Sequence, residues 1–110
     1  MNIDFTAIPE IDNEHFKGGD GHFIIRPFTD MPGRVMKVRL TPKSSVGKHT
    51  HETNYEIIYV ISGEGKAVTG AGEDNLLAGC VHYCPPGASH SLINTGSEDL
   101  VMLCVLPDTP

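Results

Sequence analysis

Two histidines lie one residue apart in the segment GKHTHETNYEIIYVISG, residues 47–63, and a glutamate follows them at the start of an apolar run. Side chains at positions i and i+2 of a strand point to the same face, so His49 and His51 face one way if this segment is extended. Burying the lone carboxylate of Glu56 would cost several kcal/mol unless a cation or hydrogen-bond donors meet it. A metal ion held by the two imidazoles would do so, and the segment therefore predicts metal binding.

A second segment, GCVHYCPPGASHSLIN at residues 79–94, offers a further nitrogen ligand. After the sharp PPG turn the chain re-enters a predicted strand at His90, whose neighbours are short or apolar. A histidine in such surroundings needs a polar partner. His90 is therefore a candidate for the same site as the first pair.

The framework that must position these side chains is predicted to be all-β, because short strand-like runs alternate with turns rich in Gly and Pro. The run at 55–62 is apolar on both faces, which predicts that both faces are covered. We interpret residues 1–20 as an N-terminal arm of weak strand character and residues 21–110 as a single barrel domain. The candidate strands are 22–28, 34–41, 55–62, 65–70, 73–79, 81–84, 89–95 and 99–106.

These two segments resemble the two motifs of the cupin family. The first has HxH, four residues, Glu, six residues and Gly, ending at Gly63. The second has Gly, five residues, Pro, one residue, Gly, two residues, His, three residues and Asn, ending at Asn94. One departure is that Lys43 stands six residues before His49, where the motif has glycine, so we expect Pro42 with Gly47 to form the entry turn. The resemblance covers roughly residues 35–106.

The resemblance implies a cupin-type double-stranded β-helix, a jelly-roll barrel holding one divalent metal. Carried over by position, Gly63 and Gly87 are turn residues, Asn94 orders the backbone, and the metal ligands are His49, His51, Glu56 and His90. Three imidazoles and a carboxylate suit Fe, Mn, Ni, Co or Zn better than Mg or Ca. An HxH pair also occurs by chance on exposed edges, and some cupins lack a metal, but all four ligand types are intact here. Small cupins resemble one another in forming dimers that cover sheet edges and an apolar face, so the resemblance implies a homodimer.

Candidate catalytic residues beyond these ligands are His82 and Tyr83. His82 replaces the usual apolar residue of the second motif. It is expected to donate to a backbone carbonyl, to line the substrate cavity, or to join a second metal site with the neighbouring cysteines. Glu52 follows His51 directly, and strand parity turns it away from the ligand face. Arg26 could bind a carboxylate substrate, although pairing with an acid on a neighbouring strand or subunit is the commoner role.

Composition excludes several partners. The 110 residues carry a formal net charge of -6 with 8 Lys and Arg, which provides no basic patch for nucleic acid. No apolar run approaches a membrane span, and nothing resembles a signal peptide, so we expect a cytoplasmic protein without a membrane partner. The three cysteines form no CxxC pair and are expected to be reduced.

Two functions follow from the resemblance. The first is a metal-dependent enzyme acting on a small oxygen-bearing or anionic metabolite, of the dioxygenase, isomerase, lyase or decarboxylase type. The second is a non-catalytic, metal-containing module that binds a small ligand such as a sugar or a carboxylate. A general base inside the barrel, outside the ligand set, would favour the enzyme.

Overall fold

The structure, a computed structural model, describes residues 1–30 and 32–110. Two short 3-10 helices, Phe5–Ala7 and Phe16–Gly18, lie near the N-terminus. The strands are β1 (Ile11–Glu14), β2 (His22–Asp30), β3 (Gly33–Leu40), β4 (Ser45–Thr50), β5 (Glu56–Ser62), β6 (Glu64–Thr69), β7 (Gly72–Leu77), β8 (Val81–Cys84), β9 (Ser89–Asn94) and β10 (Leu100–Pro107).

These strands form two antiparallel sheets, with the orders β1-β2-β3-β10-β5-β8 and β4-β9-β6-β7. From β3 to β10 the chain passes repeatedly from one sheet to the other, apart from the β6-β7 hairpin, which stays within one sheet. The inner faces therefore lie against each other, and the predicted all-β jelly-roll fold of cupin type is confirmed. Strands β4 and β9 lie in one sheet and β5 in the other, so the predicted ligands approach from both sides.

Apolar side chains at alternate strand positions fill the space between the sheets. This core also lines part of the cavity that contains the polar residues discussed below. Its buried members are Phe23, Met36, Val38, Leu40, Val46, Ile58, Val60, Ala67, Leu76, Leu92, Leu100, Met102, Cys104 and Leu106.

The outer face of β5 is exposed within the single chain. Ile58 and Val60 are buried on the inner face, but Tyr59 and Ile61 on the opposite face are 44% and 43% exposed. The prediction that both faces are covered is therefore wrong for one chain. The four-stranded sheet lies on the inner side of β5, so the outer side depends on another partner or on solvent.

The N-terminal arm contains a strand that the sequence did not reveal. Strand β1 pairs with β2, with Ile11 opposite Ile25. The following helix Phe16–Gly18 packs against β4, and a Cβ at Gly47 would collide there with the carbonyl oxygen of Lys17. Glycine at this position therefore lets the arm close over one end of the barrel.

The entry turn before β4 differs from the expected arrangement. Lys43, at the place where the motif has glycine, itself adopts a positive φ of 63°. This is the left-handed region that glycine favours and other residues adopt at a cost. The turn therefore keeps its place at Lys43, and Gly47 serves the close approach of the arm instead.

The described part of the chain contains neither a disulfide nor a helix that could cross a membrane. Cys84 and Cys104 are buried free thiols, and Cys80 is an exposed one. No helix within residues 1–30 and 32–110 has the length and apolar character to cross a bilayer.

Candidate metal centre

Four side chains converge between the sheets, contributed by β4, the turn after it, β5 and β9. The Nε2 atom of His90 lies 3.0 Å from Nε2 of His51 and 3.1 Å from Nε2 of His49. The Oε1 atom of Glu56 lies 3.1 Å from His90 Nε2 and 3.2 Å from His51 Nε2. His90 is fully buried, and His51 and Glu56 are nearly so. The four residues predicted as ligands therefore present one ligand atom each to a common point.

The spacing of these atoms fits a transition-metal ion. Ligands bound at about 2.0–2.1 Å stand about 3 Å apart when their bonds meet at right angles and about 3.4 Å apart at tetrahedral angles. The four separations of 3.0 to 3.2 Å match the right-angled case. Four ligands in that arrangement leave positions for a small molecule, and three nitrogens with one oxygen suit Fe, Mn, Ni, Co or Zn.

Strand pairing and a turn hold the ligands in register. His49 lies directly opposite His90 in the β4-β9 ladder, just after a β-bulge in β4. Beyond the end of β4, the backbone N–H of His51 donates to the carbonyl of Ala88, and the N–H of Gly87 donates to the carbonyl of His51. The PPG turn is thereby fastened to the HxH segment, which brings ligands distant in sequence together.

Each histidine of the first motif has a second partner that orients its ring. Nδ1 of His49 lies 2.8 Å from the carbonyl oxygen of Gly47, and Nδ1 of His51 lies 2.7 Å from Oδ1 of Asn54. When Nδ1–H donates to these oxygens, the lone pair is left on Nε2, which faces the common point. Sequence reasoning missed Asn54, whose only signal is its position three residues after His51.

His82 is buried, as the first of its expected roles requires, and its polar contacts among the described residues are with His90 and Asp74. Its ring is nearly coplanar with the ring of His90, with 17° between the planes, and its Nε2 lies 3.0 Å from His90 Nδ1. It does not line the cavity described below. Its other nitrogen, Nδ1, lies 3.7 Å from a carboxylate oxygen of Asp74. His82 therefore contacts a ligand of the centre from behind.

The electrostatics of the cluster keep the carboxylate charged and shift the pKa values of the imidazoles in different directions. Burial alone would raise the pKa of Glu56, but hydrogen bonds from His51 and His90 outweigh it and lower that pKa to about 2. The hydrogen bond to Glu56 raises the pKa of His51. Burial lowers the pKa of His49 and of His82. Glu56 is thus ionised at neutral pH, and a cation at the common point would neutralise it.

A cavity of about 430 Å³ opens above this cluster. The arm contributes Phe16 and Lys17 to its wall, and β3 contributes Arg34. Glu52 also lines it, although strand parity predicted that this side chain turns away; β4 ends at Thr50, so the parity of the strand does not extend to Glu52. The cavity therefore combines the ligand cluster with two basic side chains and one further carboxylate.

Tyr83 and Arg26 lie away from the cavity. Tyr83 is 54% exposed on the outer face of β8, so its phenol does not reach the ligand cluster. Arg26 donates through Nη1 to the carbonyl oxygens of Phe5 and Ile8, at 3.1 and 2.8 Å. It therefore holds the N-terminal segment to the sheet, and its charge also attracts the carboxylate of Glu10.

The turn and backbone positions implied by the motifs behave as expected. Gly63 and Gly87 have positive φ angles of 84° and 80°. The side-chain amide of Asn94 donates to the carbonyls of Leu40 and Glu98, both at 2.8 Å. Asn94 thus ties the end of β9 to the neighbouring sheet without contacting the ligand cluster.

Comparison with known sequences identifies relatives of this architecture. A family model described as "Cupin domain" matches residues 36–106. A protein of Thermotoga maritima described as an oxalate-binding protein is 41% identical over 98 residues, which cover 84% of this chain and 81% of the relative. The family match over residues 36–106 contains all four candidate ligands.

Solved structures give the same architecture. A predicted oxalate decarboxylase from Thermotoga maritima superposes with a TM-score of 0.92 at 30% identity, covering 99% of this chain and all of that one. A sugar phosphate isomerase of a cupin superfamily from Silicibacter pomeroyi has a TM-score of 0.83 at 22% identity and covers 100% of this chain and 77% of that one. The second likeness concerns the fold alone.

Proposed function

The chain belongs to the cupin family, and we propose that it binds a small dicarboxylate of the oxalate class through a divalent transition metal. The ion, which is Fe, Mn, Ni, Co or Zn, is held by His49, His51, Glu56 and His90. When bound, it would supply a Lewis-acidic centre for the oxygens of the ligand. The oxalate-binding relative supports the ligand class, and the converging ligand atoms at the base of the cavity are the observation that carries the proposal.

The charge of the cavity supports binding of a dianion when the metal is present. Lys17 and Arg34 balance the carboxylates of Glu52 and Glu56, so the metal-free lining is formally neutral when the histidines are neutral. A divalent ion raises this sum by two charges, which equals the charge of a dicarboxylate. Attraction between the cavity and a dianion therefore depends on the ion, and the two basic side chains orient the ligand once it is held.

We expect oxalate to bind to the metal-loaded protein and to release heat in a calorimetric titration, because two of its oxygens can occupy adjacent open positions. Chelator-treated protein should give no measurable binding, and restored metal should restore it. Malonate and succinate form larger chelate rings and should bind more weakly, and acetate should bind weakest of the four. Arg34→Gln should weaken oxalate binding while leaving bound metal unchanged.

Equal oxalate affinity with and without metal would contradict this proposal, as would tighter binding of acetate than of oxalate. Arg39→Gln is the matched control for Arg34→Gln, because Arg39 pairs with Glu10 and Asp99 outside the cavity. It should leave the oxalate titration unchanged.

A second candidate function, turnover of the bound acid, is favoured by Glu52. Decarboxylation of oxalate breaks the C–C bond, releases carbon dioxide, and leaves an electron pair on the carbon that must take up one proton to become formate. Among the described residues lining the cavity, Glu52 is the carboxyl group outside the ligand set. Formate produced by the wild-type protein and lost in Glu52→Gln, with oxalate affinity retained, would support turnover; absence of formate would leave binding as the function.

We also propose that a second copy of the chain covers the apolar outer face of β5 and β8. This face exposes Tyr59, Ile61, Val81 and Tyr83, and the two strands are paired so that Tyr59 lies opposite Val81. Exposed apolar side chains grouped on one sheet face are typical of an interface.

We expect sedimentation to give twice the chain mass of 11.9 kDa for the wild-type protein. Val81→Lys should shift it to the monomer, because a lysine on this face would have to be desolvated when the second copy covers it. Leu77→Lys is the control, since Leu77 is similarly exposed but lies on the four-stranded sheet. A monomeric wild-type protein, or equal dissociation by both variants, would contradict this interface.

A further inference from the structure

We infer that His82 is a positioning residue that accepts a hydrogen bond from His90 Nδ1–H and thereby fixes the ring through which His90 binds the metal. This inference rests on the proposed metal centre and concerns a residue behind it. His90 is fully buried, and His82 is 5% exposed, so their contact is shielded from water. The nitrogens lie 3.0 Å apart, within hydrogen-bond distance.

The other two histidine ligands show that the second ring nitrogen of His90 requires a hydrogen-bond acceptor. Each turns Nε2 to the common point and places Nδ1 against an oxygen acceptor, the carbonyl of Gly47 for His49 and the side chain of Asn54 for His51. A ligating histidine almost always donates its second ring N–H to such an acceptor, which fixes the tautomer and the ring orientation. At His90 this place is filled by Nε2 of His82.

The direction of the hydrogen bond follows from the ligand role. Nε2 of His90 must keep its lone pair for the metal, so the proton resides on Nδ1 and is donated to His82. Nε2 of His82 is then unprotonated, and its proton resides on Nδ1, which faces Asp74 Oδ2 at 3.7 Å. That distance exceeds a direct hydrogen bond, and a water molecule bridging the two groups would satisfy both. Asp74 is largely exposed, so its contact with His82 is weaker than the contact of His82 with His90.

Strand geometry explains why this residue can reach the ligand. His82 lies on β8 opposite Ile58 of β5, at the edge of the six-stranded sheet, and its side chain points inward toward β9 of the other sheet. The planes of the two rings lie within 17° of each other and their centroids are 5.2 Å apart, an arrangement that lets the two nitrogens share an in-plane hydrogen bond. An apolar residue at position 82 would fill the space without accepting the proton.

The test compares two substitutions at position 82 by direct titration of Zn(II) and Co(II) against a competing chromophoric chelator. His82→Leu removes the acceptor, and metal affinity should fall by about 10- to 100-fold. His82→Gln retains an acceptor oxygen and should recover most of that loss. Asp74→Asn should change affinity by less than about fivefold, because the carboxylate is exposed. His22→Leu, at an exposed histidine on β2, should change nothing.

The absorption spectrum of the Co(II) form gives a second measurement, since reorientation of one ring should alter its visible bands in His82→Leu but not in His82→Gln. Unchanged metal affinity in His82→Leu would overturn the inference while leaving the metal centre intact. Equal losses in the Leu and Gln variants would also overturn it, because His82 would then act through its shape alone.

If the wild-type protein takes up no metal, the proposed function fails, and the hydrogen bond is tested separately by nitrogen-15 NMR of the imidazoles in the metal-free protein. In the metal-free protein Nε2 of His90 can donate to Glu56, so the inference there expects scalar coupling across a hydrogen bond between His90 Nδ1 and His82 Nε2, with either nitrogen as the donor. Absence of that coupling would overturn it. The NMR measurement also decides the matter if His82→Leu does not fold.

Discussion

Replacing His90 with alanine is expected to lower metal affinity by more than about 100-fold, which exceeds the effect of losing an outer partner of a ligand. His90 is the member of the cluster whose Nε2 contacts His49, His51 and Glu56 at once. Glu56→Gln should also weaken metal binding, because a charged ligand becomes neutral while its shape is kept. Elemental analysis after dialysis against a defined free metal concentration measures both effects.

Two controls separate a lost ligand from a damaged fold. His49→Ala removes a ligand whose ring is only half-buried, so it should lose metal even if the cavity left by His90→Ala disturbs folding. His22→Ala disrupts the other group that could hold an ion, formed with Asp12 and Glu14 on the surface. If His22→Ala released the metal and His90→Ala retained it at full stoichiometry, the ion would belong to the surface group.

Lowering the pH from about 7.5 to about 5.5 is expected to release the metal and with it a large part of the stability of the loaded protein. Protons compete with the ion for the imidazoles of the metal-free state. His51 has a raised pKa because of its hydrogen bond to Glu56, so competition begins above the ordinary histidine value of about 6.5. Glu56, with a pKa of about 2, stays ionised throughout. His51 is therefore the ligand at which protons first compete with the ion.

The stability of the metal-free protein should change much less over the same pH range. The raised pKa of His51 contributes stability that is fully present below pH 6.5 and is lost as the pH rises through the folded value. The lowered pKa of His49 acts oppositely, since its contribution is lost as the pH falls below 6.5. Bound metal, by contrast, contributes about 4 kcal/mol when its free concentration is roughly 1,000 times the dissociation constant.

Thermal unfolding of loaded and chelator-treated samples across this range measures the difference. The loaded sample should converge on the metal-free one as the pH falls. In Glu56→Gln the pKa of His51 should drop, because the carboxylate that raises it is gone. Equal pH dependence of the loaded and metal-free samples would mean that the histidines act on the fold directly and hold no ion.

The sequence predicted the ligand set because two of its segments resemble the cupin motifs in order and spacing, and that resemblance implies the four ligand positions. The turn residues around the motifs have backbone requirements that few amino acids meet. The predicted convergence of His49, His51, Glu56 and His90 and the all-β fold could therefore be stated before the structure.

Contacts between elements distant in sequence could not be predicted in the same way. The partnership of His82 with His90 depends on β8 and β9 lying in different sheets, and strand parity within β8 contains no information about the opposite sheet. Lys17 reaches the cavity through a 3-10 helix with a positive φ at a non-glycine residue, which no composition rule predicts. Glu52 was misplaced because the parity argument was extended beyond the end of β4.

The most direct measurement of the central claim is the metal content of the wild-type protein after dialysis against Fe(II), Mn(II), Co(II), Ni(II) and Zn(II) in turn, at neutral pH and with oxygen excluded. One equivalent per chain of at least one of these ions is predicted, and that equivalent should be absent from His90→Ala treated identically. A folded wild-type protein that retained none of the five ions would contradict the claim that His49, His51, Glu56 and His90 form a metal centre.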